Sequence, residues 1–440
     1  MEVSIIGKTR FQTTKLKSIL DASDSGKWGT DPIINAIRVV RSTNFNDTGY
    51  LDLSDVAFRQ LTDEEYKQTK LNENDIVIER SGGSANQPVG RVSFITKEIG
   101  EVGFGYSNFI QRITFRRKYF AKYYFYCLYY LHNAGLTQAM QTQTNGIRNL
   151  EYRYFLNICL PKPHFHEQKA IANYLSKVDQ AIDAIKNTIY KLENLKTALM
   201  QNLLSGKMKP DGTWRQDDEF WHHDKFGKVP VGWEVRNLGD SHVAIIDPIY
   251  EYEVGLEFPF LEMAAVQNNY KGIIEYSTLK IDKRNSGLAC FKTGDILYAK
   301  ITPCVENGKI TIINDFNGVG FGSTEFTVIS PSNNIENYLL FLLLTDHKIH
   351  QKAISLMEGT TGRQRIPKKV FKKNLTIAYP KDKKDQKEIV DIFVNIEKNI
   401  SLKTKKIDSL QNLKKSLMQN LLTGKIRIPD HIINQIISNE

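Results

Sequence analysis

The chain has 440 residues, 41% of them hydrophobic and 10% aromatic. That exceeds one core, since single cores stop growing near about 250–300 residues. Its net charge of +10 favours polyanionic partners, nucleic acid first, against the blander reading of a generally basic surface. No run of about 20 apolar residues predicts a membrane span, and the N-terminus lacks a leader pattern. Cys127, Cys159, Cys290 and Cys304 show no CxxC pair. They read as reduced cytosolic thiols, not a disulfide frame or a zinc site.

In chain order, "NENDIVIERSGG" from Asn72 is an acidic turn leading into an apolar strand. "EVGFGYSNF" from Glu101 reads as a glycine-rich strand turn, and "AKYYFYCLYYLHN" from Ala121 as an aromatic helix. "QTNGIRNL" from Gln143 is a glycine turn carrying Arg148, and a short apolar strand ends at Pro161. From Gln168 the apolar positions Ile171, Leu175, Val178, Ile182, Ile185, Ile189 and Leu192 step by four and three, and Leu199 continues the apolar face. That is a heptad seam on a long helix. It has no internal Pro or Gly and stops at Gly206, where a helix C-cap is expected. The turn-rich, polar "KPDGTWRQDDEFWHHDKFGKVPVGWEV" then reads as a connection.

The same order follows again. "KTGDILYAKITP" begins at Lys292, "GVGFGSTEF" at Gly318, "ENYLLFLLLTDHK" at Glu336 and "GTTGRQRI" at Gly359. A strand ends at Pro380, and a second seam runs through Ile389, Phe393, Ile396, Ile400, Lys403, Ile407 and Leu410, with Leu417 beyond, before Gly424. Only Lys403 breaks it, and a long Lys stem can snorkel there. The helix ends "LKTALMQNLLSGK" and "LKKSLMQNLLTGK" are near copies, with Met200 and Met418 in register 218 residues apart. Each helix spans about 38 residues, or about 57 Å. A narrow seam needs a partner, and each helix is the economical partner for the other. They run parallel or antiparallel according to the intervening domain; the competing reading packs each on its own domain. The expected fold is α+β, with globular domains at 1–162 and 211–380, helical spacers at 163–210 and 381–425, and a short tail at 426–440.

Catalytic patterns are missing. "DPIY" at Asp247–Tyr250 resembles a methyltransferase tetrapeptide but lacks the preceding glycine-rich cofactor turn, so it reads as a proline turn. The histidine pairs His164/His166, His222/His223 and His347/His350 lack a completing carboxylate or thiolate shell. There is no phosphate-binding loop and no nuclease arrangement of Pro-Asp with Glu-x-Lys. The aromatic helix has a leucine-rich counterpart, which is how a buried face varies, not a base-stacking platform. No catalytic, cofactor-binding or metal residue is therefore expected.

A duplicated basic domain on a long rigid spacer suits two separated DNA half-sites, since turns of duplex repeat every ~34–36 Å. Unlike domains on like helices imply an asymmetric, bipartite target. The paired helix ends, with "VPVGWEVRNLGD" from Val229, "GDILYAK" and "TTGRQRI", are similar to the DNA specificity subunit of type I restriction–modification systems. The resemblance spans essentially the whole chain. It implies two target recognition domains, an antiparallel coiled coil of the two spacers with a pseudo-twofold, and no catalysis in this chain. It also implies double-stranded DNA as target, two docked methyltransferase subunits supplying S-adenosylmethionine chemistry, and restriction subunits using ATP and Mg, all in the cytoplasm.

Base edges call for Arg, Asn, Gln or Ser on loops, and phosphates for Lys, Arg or backbone amides. In the first domain the candidates are Arg80, Ser81, Gln87, Ser107, Asn108, Asn145 and Arg148. In the second they are Lys300, Thr302, Asn307, Thr324, Arg363, Gln364 and Arg365. The competing reading of each is a solvated turn residue. The runner-up for the whole chain is a coiled-coil scaffold that holds protein partners without touching DNA. A fused enzyme fits worse, for want of motifs.

Overall fold

The structure is a computed structural model that describes residues 9–32, 36–83, 87–144, 147–224, 226–282, 287–314, 317–360 and 362–438. The chain forms two compact units, Met1–Lys186 with Lys405–Glu440, and Asn187–Thr404. Each long helix therefore contributes to both units.

In the first unit a four-stranded antiparallel sheet orders Leu20–Ser25, Ile110–Phe115, Ile76–Glu79 and Val92–Phe94. In the second, Ala244–Ile246, Phe326–Pro331, Ile296–Ala299 and Ile310–Ile312 repeat that order. The strands Ile76–Glu79 and Ile296–Ala299 are buried along their whole length. Their apolar residues, Ile76 to Ile78 and Ile296 to Ala299, suit strands covered on both faces, and buried Glu79 is paired with Arg91 at 2.9 Å. The acidic turn before each is closed in the same way. Asp75 Oδ2 accepts the Asn72 N–H at 2.9 Å, and Asp295 Oδ2 accepts the Lys292 N–H at 2.8 Å.

A second sheet also recurs. Ile37–Val40 pairs antiparallel with Ala57–Arg59 and parallel with Gly105–Tyr106. Glu257–Leu261 pairs antiparallel with Ser277–Lys280 and parallel with Gly320–Gly322, which adds Ala289–Phe291. Both Gly-Phe-Gly stretches thus lie at a parallel pairing. Each globular part closes on an antiparallel strand pair, Thr13–Lys15 with Cys159–Pro161, and Trp233–Asn237 with Thr376–Pro380. The aromatic helix Ala121–Asn133 and its counterpart Asn337–Thr345 are core elements, with Tyr123 to Leu128 and Leu339 to Leu344 buried.

The long helices are Phe165–Leu203 and Lys383–Leu422. Asp382 starts the second by accepting the Lys384 N–H at 2.8 Å. Gly206 and Gly424 end them in the left-handed region, with φ of 68° and 70°. A Cβ at Gly206 would lie 2.2 Å from Pro230 Cγ, and one at Gly424 would lie 3.0 Å from the Phe11 ring. Glycine takes this conformation without strain at both places, and at Gly206 the approach of Pro230 leaves no room for a side chain.

Within each unit the helix segments run antiparallel. In the first, Glu167 binds Arg427 through two contacts of 2.6 Å, and Asp179 binds Lys414 at 2.6 Å. Ala170, Ile171 and Leu175 share its core with Met418, Leu421 and Leu422. In the second, Lys196 binds Glu397 at 2.6 Å, while Leu203 and Leu204 share a core with Ile389 and Phe393. Each repeated "MQNLL" thus seats in the core of the unit opposite to the one its helix starts from. Along the seams, Ile171, Leu175, Ile182, Ile389, Phe393 and Ile396 are buried. Val178, Ile185, Ile189, Leu192, Leu199, Ile400, Ile407, Leu410 and Leu417 are half-buried, and so is Lys403.

Two glutamines that open the repeats act as clamps. Gln168 Oε1 accepts the Phe120 N–H at 2.9 Å at the start of the aromatic helix, and Gln386 Oε1 accepts the Glu336 N–H at 2.8 Å. Both are buried, and each donates its Nε2 to a proline carbonyl, Pro163 or Pro380. Two segments carry more structure than their composition suggested. The polar connector holds a hairpin, Phe220–His223 with Gly227–Pro230. The tail forms a helix, Asp430–Ser438, whose Ile432 and Ile433 pack on the first unit's core.

Candidate nucleic-acid interface

Three loops distant in sequence meet in each unit, held by matching backbone hydrogen bonds. In the first, the Arg80 N–H donates to the Phe109 carbonyl at 2.8 Å, and the Arg80 carbonyl accepts from the Leu150 N–H at 2.8 Å. In the second, the Lys300 N–H donates to the Glu325 carbonyl at 2.9 Å, and the Lys300 carbonyl accepts from the Ile366 N–H at 2.8 Å. The middle turn is pinned alike. Ser107 N–H reaches Val40 and Ile110 N–H reaches Ser107, while Ser323 N–H reaches Leu261 and Phe326 N–H reaches Ser323. The result is one backbone cradle built twice. A strand end, the turn after Gly-Phe-Gly and the segment that ends at Leu150 or Ile366 form its three sides.

The cradle carries different side chains in the two units. In the first, Arg80 Nη1 donates to Gln111 Oε1 at 3.0 Å, and its guanidinium lies 5.4 Å from the Tyr152 ring centre. Gln111 Nε2 donates to Ser23 Oγ at 3.1 Å, and Ser23 shares a 2.7 Å hydrogen bond with the Tyr152 hydroxyl. Burial pushes the Tyr152 hydroxyl up to about 12, so it stays protonated and able to donate. The turn apex is Asn108 and Phe109, both exposed. In the second unit the position of Phe109 is Glu325, and it holds Arg365. Arg365 Nε donates to Glu325 Oε2 at 3.0 Å and Nη2 donates to Oε1 at 2.7 Å. The Arg365 hydrogen bond, ahead of its charge, holds the Glu325 carboxyl below its ordinary range.

The other candidates distribute as follows. Ser81 is half-buried in a short strand whose partner is Ile147–Leu150, with Ser81 opposite Asn149 and Gly83 opposite Arg148. Arg148 is half-buried. Ser107 is buried, and its hydroxyl has no partner. Gln87 is exposed and sits by Arg91, whose Nη1 and Nη2 it accepts at 3.0 and 3.1 Å with its amide oxygen turned inward. Asn145 lies outside the described residues. In the second unit Thr302 is half-buried, and its Oγ1 accepts the Gln364 N–H at 3.2 Å. Lys300 is half-buried, Thr324 and Arg363 are exposed. Asn307 is exposed and its carbonyl accepts the Asn269 N–H at 2.8 Å, which ties it to a different loop. Gln111, Tyr152 and Glu325 escaped selection: the repeat alignment sets Glu325 opposite Asn108, and only the backbone hydrogen bonds set it opposite Phe109.

The near-motifs resolve as structure. Asp247 of "DPIY" sits at φ 50°, accepts the Val328 N–H at 3.0 Å and pairs with Lys368 at 2.7 Å. Among the described residues, no group of three or more His, Cys, Asp and Glu side chains is placed to hold a metal ion. A cavity of about 700 Å³ in the first unit, between Tyr50, Tyr129, Asp183 and Lys414, shares no lining residue with the cradle. No helix among the described residues is long and apolar enough to cross a membrane.

The family model of the type I restriction modification DNA specificity domain matches the chain twice, at residues 14–194 and 230–412. The chain belongs to the type I restriction–modification DNA specificity family. That family is the non-catalytic, sequence-recognising component of such systems. The two matches are the two repeats. The MjaVIII specificity subunit of Methanocaldococcus jannaschii is 25% identical over 375 residues, covering 82% of this chain and 81% of that one. The EcoEI specificity subunit of Escherichia coli is 34% identical over 170 residues, 38% of this chain and 28% of that one. The crystal structure of the S subunit from M. genitalium shares the fold, with a TM-score of 0.54 at 14% identity, over 94% of this chain and 97% of that one.

Proposed function

We propose that this specificity-family chain reads an asymmetric, bipartite site on double-stranded DNA, one half with each cradle. The observation that carries the reading is a constant backbone frame with unlike side chains. A frame that varies only in its reading groups is what two different half-sites require. The +10 charge supplies attraction to phosphate.

The long helices are the docking surface for two methyltransferase subunits. The repeated ends support this, because their outward positions are repeated too. Leu195 and Leu413 are 47% and 46% exposed, and Gln201/Gln419 and Lys207/Lys425 are exposed pairs. Leucine left about half exposed at the same place in both copies suits a surface that a partner covers. S-adenosylmethionine chemistry, and any ATP- and Mg-dependent restriction step, belong to the partner subunits.

The test is reconstitution with a methyltransferase subunit from the same system. Methylome sequencing of cells carrying that system supplies the site. Gel-shift titration should show preference for the bipartite duplex, with affinity falling steeply as salt rises. A purified complex that prefers no bipartite duplex would overturn the reading.

A further inference from the structure

Glu325 is an acidic side chain at the apex of a cradle meant for a polyanion. Its charge opposes DNA, so its presence there needs a reason. The geometry gives one. Its two oxygens take the Nε and Nη2 protons on one edge of Arg365, at 3.0 and 2.7 Å. A guanidinium has five N–H donors in a rigid fork. The other edge, formed by the outer protons of Nη1 and Nη2, has no hydrogen-bond partner among the described residues. The Arg365 side chain is 48% exposed. Its backbone is fixed as well, paired with Glu358 and bridged to Ile301.

We propose that Glu325 is a positioning residue that aims Arg365 at a guanine. The free edge of Arg365 would then donate to O6 and N7 in the major groove, the pairing that best suits this fork. This rests on the reading of the chain as a DNA-specificity subunit. The carboxylate fixes the side-chain torsions before DNA arrives, so less freedom is lost on binding. The first unit has no such pair. Phe109 occupies the position of Glu325, and Arg80 is steadied instead by Gln111 and the Tyr152 ring. The two cradles therefore differ at this matched position as well as at Arg80 and Lys300, which fits an asymmetric target.

A phosphate contact by Arg365 predicts a different pattern, since phosphates carry no sequence information. The experiment uses the complex with its methyltransferase subunits and duplexes in which each guanine of the site is replaced in turn by 7-deazaguanine, which lacks N7. For the native complex, one guanine confined to one half-site should be sensitive, with a loss of about tenfold or more. Arg365→Ala should lose a similar factor and become indifferent to that replacement. Glu325→Ala should weaken site binding several-fold while binding to site-free duplex holds or tightens, because a negative charge has gone. Glu325→Gln keeps an acceptor oxygen and should recover part of the loss. Thermal unfolding of each variant is compared with native. If Arg365→Ala lowers it, Arg365→Lys, which keeps the charge and loses the fork, carries the test. Uniform weakening of all duplexes by Arg365→Ala, or an unchanged ratio of site to site-free binding in Glu325→Ala, would sink the proposal. A native complex without any site preference would instead sink the function it rests on.

Discussion

His350 has two fixed partners that decide its protonation. The Val305 carbonyl can only accept, so Nε2, at 3.0 Å, carries the proton. Nδ1, at 2.6 Å from the Tyr298 hydroxyl, then accepts. Burial holds the His350 pKa below its ordinary 6.5, the Val305 hydrogen bond opposes this, and neighbouring His347 adds to it. The sign follows from linkage. Below about 6.5 the unfolded chain takes up a proton that the folded site resists, so stability is present above that pH and lost as pH falls through it. Urea unfolding followed from about pH 7.5 to pH 5.5 should show that loss, at most about 1.4 kcal/mol per pH unit for this group. His350→Gln, which can still donate and accept, should flatten the slope. Some slope will remain, since burial also lowers the pKa of His132 in the first unit. An unchanged slope in His350→Gln would refute the assignment. The sequence showed the His347/His350 spacing and the missing third ligand. It did not show the Tyr298 hydroxyl, which lies 52 residues away in the chain and arrives only through the sheet. The same limit hid Glu325. A search for DNA contacts looks for bases and amides, and an acidic residue earns its place only once Arg365 is seen beside it.

Among the elements, the long helices were the most legible, because a four–three apolar spacing with a terminal glycine leaves little choice of structure. Their ion pairs show what spacing leaves out. Asp179 with Lys414 and Glu397 with Lys196 occupy equivalent positions of the repeat, 218 residues apart in each case. Their surroundings differ. Asp179 and Lys414 are each 8% exposed, and the Tyr126 hydroxyl also donates to Asp179 at 2.7 Å. Lys196 and Glu397 are 29% and 40% exposed. Removing one partner of a buried pair leaves an uncompensated charge and costs about 3–5 kcal/mol, whereas an exposed pair contributes about 0–1. Lys414→Ala should therefore lower the unfolding midpoint strongly, and Lys196→Ala should barely move it. Equal effects in denaturant titration would show that position in the repeat, not burial, governs these pairs. The double substitution of Asp179 and Lys414 by apolar residues of similar volume should recover most of the loss.

At the scale of the whole molecule, the duplication was plain in the sequence, but its structural consequence was not. Nothing in "MQNLL" says which core it enters. The structure seats Met418, Leu421 and Leu422 in the first unit and Leu203 and Leu204 in the second. The chain thus crosses between units through both helices. On the proposed function, helix length is a variable separable from base reading. Between Lys186 and Lys196 in the first helix, and between Glu397 and Lys405 in the second, the outward positions are mostly exposed and the seam alone is covered. Deleting seven residues from that stretch of both helices keeps the heptad seam in phase. It removes about 10 Å at 1.5 Å per residue, or about three base pairs of duplex at 3.4 Å each. Methylome sequencing of cells carrying the shortened subunit should report both half-sites unchanged and a gap about three base pairs shorter. Four residues taken from one helix alone would break the seam's phase, and should lower assembly more than they shift the gap. New half-site sequences with an unchanged gap would mean that the helices do not set the spacing and that the cradles are not independent readers.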